Sequence, residues 1–192
     1  MTSIITLVII AAVFFWLISA YNRLISLKGQ TANAFKQIDV QLKRRHDLIP
    51  NLINAVKGAM QFEKDTLEAV ISARNTAVSA AAGATPETLS GMASAEGSLT
   101  SALGRFLAVV EAYPDLKATA NVGQLQEELS STENRVSFAR QAYNDTATAY
   151  NVSQSQFPMV LVAGLAKSAQ VELWELAEES ERAVPAVDLS LN

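Results

Sequence analysis

The first charged side chain in the sequence is Arg23. Ahead of it, residues 4–20 (IITLVIIAAVFFWLISA) form an apolar run interrupted only by Thr6 and Ser19. A helix rises about 1.5 Å per residue and the hydrocarbon core of a bilayer is about 30 Å thick, so a run of about 20 apolar residues is what lipid selects. Ile4, Ile10 and Phe14 fill the run. Trp16 and Tyr21 stand near its far end, where amphipathic rings favour the headgroup level. A cleaved secretory signal needs a basic start and a small-residue cleavage site. Residues 1–3 carry neither Lys nor Arg, and Ile18-Ser19-Ala20 is a poor site. A lipoprotein signal needs a cysteine, and the chain has none. Residues 1–22 therefore read as a retained single-pass anchor whose partner is membrane lipid.

Orientation follows from the flanking charge. Arg23, Lys28, Lys36, Lys43, Arg44 and Arg45 come next, against the single acid Asp39. Bases close to a membrane end stay on the cytoplasmic side, which places the N-terminus outside and the rest inside. The whole chain carries a net charge of −4, which argues against binding nucleic acid by bulk electrostatics. The lack of cysteine removes disulfides, thiolate zinc sites, iron–sulfur clusters and a cysteine nucleophile. Only 8 Gly and 5 Pro in 192 residues favour helix throughout.

From Ala32 to about Ala80, Phe35, Ile38, Leu42, Ile49, Ile53, Val56, Met60, Leu67 and Ile71 recur at threes and fours, the pattern of one helix face. Ile38, Ile49, Met60 and Ile71 fall eleven apart, which predicts one long, nearly straight helix of about 65–70 Å, kinked at Pro50. A second helix is expected to start with Thr85 as its cap and Pro86 in first position. Its stripe is Leu89, Met92, Leu99, Leu103, Phe106, Val110 and Tyr113, and Pro114-Asp115 makes the following turn. A third starts near Asn121. Its stripe runs Val122, Leu125, Leu129, Thr132, Val136, Ala139, Tyr143, Ala147 and Tyr150 before Phe157-Pro158. A fourth apolar segment spans Met159 to Leu165, with an extension to Leu176. Nothing reads as a strand. The predicted fold class is all-α: a single N-terminal transmembrane helix (1–22), then an antiparallel bundle of three long helices plus a shorter fourth (23–176), then a loosely held acidic tail (177–192).

Catalytic sets are missing. His46 is the only histidine, and the residue three before it is Lys43, so the Glu-x-x-His pairs of a di-iron bundle are absent. Nothing marks a serine partner for a triad, and the glycines form no phosphate-binding loop. The carboxylate clusters Glu63, Asp65, Glu68 and Glu127, Glu128, Glu133 read as solvated helix faces. No catalytic residue, metal site or cofactor is expected. The unusual patch is Arg44, Arg45, His46, Asp47 and Pro50. Arg45 falls on the apolar phase, where an unpaired guanidinium is costly, so it should pair with an acid from another helix, Glu133 or Asp145. A structural ion pair is favoured over partner recognition for this patch.

Tyr21-Asn22-Arg23-Leu24, Asp47-Leu48-Ile49-Pro50-Asn51-Leu52 and Val56-Lys57-Gly58 resemble the LemA family of bacterial membrane-associated proteins. So do Tyr113-Pro114-Asp115-Leu116-Lys117, the run 125–134 (LQEELSSTEN), Tyr143-Asn144-Asp145, Tyr150-Asn151 and Phe157-Pro158. The matches cover residues 20 to about 165 in order. After Gly164, Leu165-Ala166-Lys167-Ser168 departs from the family's aromatic pattern, and Val184-Pro185-Ala186-Val187-Asp188 returns to it. The resemblance implies one anchor in the bacterial inner membrane, a short outside terminus and a cytoplasmic helical bundle. It implies no enzymatic activity.

The functional expectation is a non-enzymatic, membrane-anchored scaffold that binds other proteins. A second apolar line (Leu48, Leu52, Ala55, Ala59, Phe62) offers a face for self-association into a homo-oligomer. The competing expectation is a membrane-surface or lipid-remodelling protein acting through the 159–176 segment, with Trp174 as an interfacial residue.

Overall fold

The computed structural model describes residues 1–60, 63–113, 120–166 and 168–175. Its helices are α1 (Thr2–Val56), α2 (Lys64–Ala81), α3 (Ser90–Glu111), α4 (Ala120–Ser155) and α5 (Met159–Leu165). No strand occurs among the described residues.

The apolar N-terminal run and the first packed helix are one element. α1 runs for 55 residues, about 80 Å. Pro50 lies inside it without ending it. A proline removes one helical donor, here the N–H that would reach the carbonyl of His46 four residues back. Arg74 Nε of α2 donates to that carbonyl instead, at 2.9 Å.

The predicted uninterrupted helix from Ala32 to Ala80 is in fact two. α1 stops at Val56 and α2 starts at Lys64. Met60 is fully buried in the connecting turn, while Ile71, the next member of the eleven-residue series, is 42% exposed. Gly58 falls in that turn, and glycine is the poorest helix former after proline. The reversal lays Leu67, Val70 and Ala77 of α2 into the core. It also closes much of the second apolar line: Leu48 and Leu52 are buried, Ala55 and Ala59 are exposed, and Phe62 lies outside the described residues.

α4 packs antiparallel along α1. Thr31 Oγ1 donates to the carbonyl of Thr146 (3.2 Å), Phe35 meets Tyr143 (ring centroids 5.9 Å apart), and Arg45 meets Glu133. α2 and α3 form a second antiparallel pair, joined at one end by Tyr113 Oη donating to Glu63 (3.2 Å). The expected cap at Thr85 is instead a separate turn in which Thr85 N–H donates to Thr88 Oγ1 (3.2 Å) and Thr88 N–H to the Thr85 carbonyl (3.0 Å). α3 begins later, at Ser90, whose N–H donates to the Glu172 carboxylate (2.7 Å). An acid at a helix start meets both an orphan donor and the positive end of the dipole.

The predicted extension of the last helix to Leu176 does not form. α5 ends at Leu165, and residues 168–175 run as an extended strap over α4. Its backbone groups bond to side chains: Asn151 takes Val171 and Asn144 takes Trp174. The Pro114-Asp115 turn and the 177–192 tail lie outside the described residues.

The buried apolar side chains fall into two large clusters. The first holds Ile49, Val56 and Met60 with Leu99, Phe106 and Val122. The second holds Leu24, Ile38 and Leu42 with Met92, Val136, Tyr143 and Tyr150. A small third cluster, Ala20 with Met159 and Val162, lies nearest the apolar end of α1.

Candidate functional site

A polar layer separates the two large cores. On α1 the second core ends at Leu42 and the first begins at Leu48, with Arg45 and His46 between. On α4 the corresponding limits are Val136 and Leu129, with Thr132 and Glu133 between. On α3 the layer is Glu96, which is fully buried.

Arg45, 3% exposed, donates from Nη2 to Glu133 (2.8 Å) and Thr100 Oγ1 (2.9 Å), and from Nη1 to Glu96 (3.4 Å). His46 Nε2 lies 2.7 Å from the other Glu96 oxygen. One carboxylate thus bridges two α1 side chains, and charge-assisted bonds of this kind are about twice as strong as neutral ones. Arg74 closes the layer from α2 through the His46 carbonyl. The buried Arg45 guanidinium faces two carboxylates, Glu96 and Glu133, which makes its enclosure tolerable.

Of the two acids proposed for Arg45, Glu133 is bonded to it, while Asp145 is exposed and sits twelve residues further along α4, about 18 Å away. Arg44 and Asp47 are exposed and Pro50 is half-buried. Glu96 and Arg74 escaped sequence reasoning, yet each had a signal. Glu96 fills the vacancy between Met92 and Leu99 in the α3 stripe. Arg74 fills the one between Val70 and Ala77 in α2. A charge at a missing stripe position is a charge turned inward.

A second constellation holds the strap. Asn151 and Asn144 each donate to and accept from one strap residue, at 2.8 and 3.0 Å (Val171) and at 3.0 and 2.8 Å (Trp174). Seven helical residues rise about 10.5 Å, and three extended residues cover about 10 Å, so the two amides meet the backbone in register. Tyr143 Oη donates to the Glu172 carbonyl at 2.7 Å. Burial, then the Glu87 and Glu172 carboxylates, push its pKa up to about 12. Trp174 is 5% exposed beneath the Arg140 guanidinium, 4.5 Å from the ring centre, so it is a core side chain and not an interfacial one.

Beside the strap, a cleft of about 730 Å³ opens between α3 and α4. Ser94, Ser98 and Ser101 line one wall, Ser137 and Arg140 the other, and Glu133 of the polar layer reaches it. Among the described residues no group of His, Asp and Glu side chains is arranged to hold a metal ion.

Ile4, Ile10, Phe14, Trp16 and Tyr21, the residues expected to meet lipid, are all exposed on α1. Among the described residues one helix, α1, is long and apolar enough to cross a membrane by length and composition. Its most apolar window has a mean hydropathy of 2.6 and is only 6% buried, unlike a core helix.

These features define an all-helical protein with one lipid-type helix continuous with its packed domain. The chain belongs to the LemA family, which it matches over residues 34–189. It is similar to magnetosome proteins MamQ 1 and MamQ 2 of Paramagnetospirillum magneticum, each 22% identical over 192 positions covering 90% of this chain and 71% of the relative. Magnetosome protein MamQ of Magnetospirillum gryphiswaldense is 23% identical over 176 positions, covering 81% of this chain and 65% of the relative.

Proposed function

We propose that this chain is a non-enzymatic scaffold of the bacterial inner membrane, with its N-terminus outside and an antiparallel helical bundle held in the cytoplasm. One feature supports it above the rest. α1 carries an apolar surface of the kind lipid covers and passes without interruption into a core closed by the other helices. Removal of residues 1–20 as a signal would strip α5 of Leu17 and Ala20 and Phe157 of Trp16. The bases from Arg23 onward support the cytoplasmic placement.

In this reading the buried titratable groups on α1 serve the fold and not a reaction. His46 is buried with its Nε2 on Glu96, and Arg45 is committed to three side chains. In this reading the cleft between α3 and α4 is the surface that takes partner contacts, including those with further copies; it is supported by the cleft's size and open polar walls, the second apolar line on α1 being half covered.

The test is in-cell photo-crosslinking of the full chain from Ser94 and Ser98, with Ser72 on the far side of α2 as control. Adducts from the cleft positions and none from Ser72 are expected. A detergent-solubilised protein that is strictly monomeric, with no adduct from the cleft, contradicts the scaffold reading.

A further inference from the structure

We propose that α5 and Phe157 form a second lipid contact, with their outward face entering the bilayer beside the anchor at the boundary between headgroups and acyl chains. This rests on the anchor reading above and extends it to a segment about 140 residues further along the chain.

α5 reads MVLVAGL and contains no polar side chain. Its inward face, Met159 and Val162, is buried with Ala20 and against Leu17 of α1. The opposite face is bare: Val160 is 47% and Leu161 56% exposed, and the neighbouring Phe157 is 71% exposed. On the α1–α4 bundle, large exposed hydrophobics such as Val40, Ile71 and Phe138 stand singly, which is ordinary for a protein surface. Here three stand within five residues.

They also adjoin the anchor's own exposed surface. The Phe157 ring lies on Trp16, with centroids 5.4 Å apart. Trp16 is four residues inside the end of the apolar run at Ala20, about 6 Å along the axis. Interfacial helices seat their apolar face about 5–10 Å into the headgroup and acyl boundary. A bilayer that covers Phe14 and Trp16 therefore meets Phe157, Val160 and Leu161 at the same depth.

A helix of seven residues does not hold together alone in water. This one is preformed by its packing on Leu17 and Ala20, so insertion needs little further ordering of the chain. The consequence is mechanical. A single spanning helix leaves the bundle free to rotate about the helix axis, whereas a second contact to one side fixes which face of the bundle is turned to the membrane.

The chain has no cysteine, so single nitroxide labels can be placed cleanly. Labels at Ile10→Cys, Val160→Cys, Leu161→Cys and Phe138→Cys are compared in the full chain, in nanodiscs of phosphatidylethanolamine and phosphatidylglycerol. The readout is power saturation by oxygen and by a water-soluble nickel chelate. The expected result is high oxygen and low nickel access at 10, 160 and 161, and the reverse at 138. Nickel access at 160 and 161 with lipid-like behaviour at 10 overturns the inference and leaves the anchor standing. Shielding of 160 and 161 from both reagents also overturns it, because protein then covers the face. Nickel access at 10 removes both.

Discussion

At the scale of single residues, the polar layer is the part of this molecule where one atom matters most. Glu96 is fully buried and neutralises Arg45 while engaging His46. Removing one partner of a buried pair leaves an uncompensated charge, which costs about 3–5 kcal/mol. Glu96→Ala should therefore lower the unfolding free energy by about that amount in a urea melt followed by circular dichroism. Glu133→Ala should cost about 1 kcal/mol or less, because that carboxylate is 40% exposed and partly screened. Equal losses would show that burial does not set the strength of the two contacts. Pro50 and Arg74 are coupled through one carbonyl. With Pro50 present, Arg74→Ala strands the His46 oxygen; with Pro50→Ala, a backbone N–H can take it. A double-mutant cycle should give a coupling of about 1 kcal/mol, with Arg74→Ala milder in the Pro50→Ala background. Additive effects would separate the two residues.

At the scale of elements, the helix faces were legible because period 3.6 is written in the apolar positions. The stripes of α3 and α4 are buried nearly as spaced, with Leu89, Met92, Leu99, Phe106, Val136, Tyr143 and Tyr150 all at 2% exposure or less. What the sequence hid were places where phase survives a change of element. Met60 keeps the eleven-residue beat in a turn, so periodicity alone could not mark the end of α1. The strap is hard to tell from helix by its apolar content alone, since its buried side chains Val171 and Trp174 are spaced as a helix face would space them. Its real signal was on α4, where Tyr143-Asn144 and Tyr150-Asn151 repeat at seven and present amides able to pair with a backbone. Asn151→Asp keeps the acceptor for Val171 N–H but loses the donor to its carbonyl. The strap should then loosen, with faster proteolysis between residues 166 and 175; an unchanged cleavage rate would contradict this. Tyr143 gives the strap a pH signature. Its folded pKa, about 12, lies above the ordinary 10, so the neutral phenol favours the folded state. That contribution is complete below pH 10 and is lost as pH rises through about 12. Unfolding midpoints should fall across this window in the native chain, and less in Tyr143→Phe. Equal slopes would place Tyr143 outside the linkage.

At the scale of the whole molecule, the long apolar N-terminal helix was the most legible feature, because an unbroken apolar run is a property of composition and length alone. Arg45 was legible as a buried charge by its phase in the apolar stripe. Its partner Glu96 required knowing which helices meet, and that is set by the turn at Gly58 and by the strap. The junction of anchor and bundle was not decided by sequence, since the absence of breakers before Pro50 permits a continuous helix without requiring one. The proposed scaffold depends on that junction: one continuous α1 would run from the bilayer to the polar layer, with α2, α4 and α5 packed on it. Double electron–electron resonance between nitroxides at Ile10→Cys and Lys43→Cys in nanodiscs tests it most directly. A continuous α1 predicts one narrow distance distribution near 50 Å. A broad distribution centred well below that value would mean that the span and the bundle are hinged, and the account would fail.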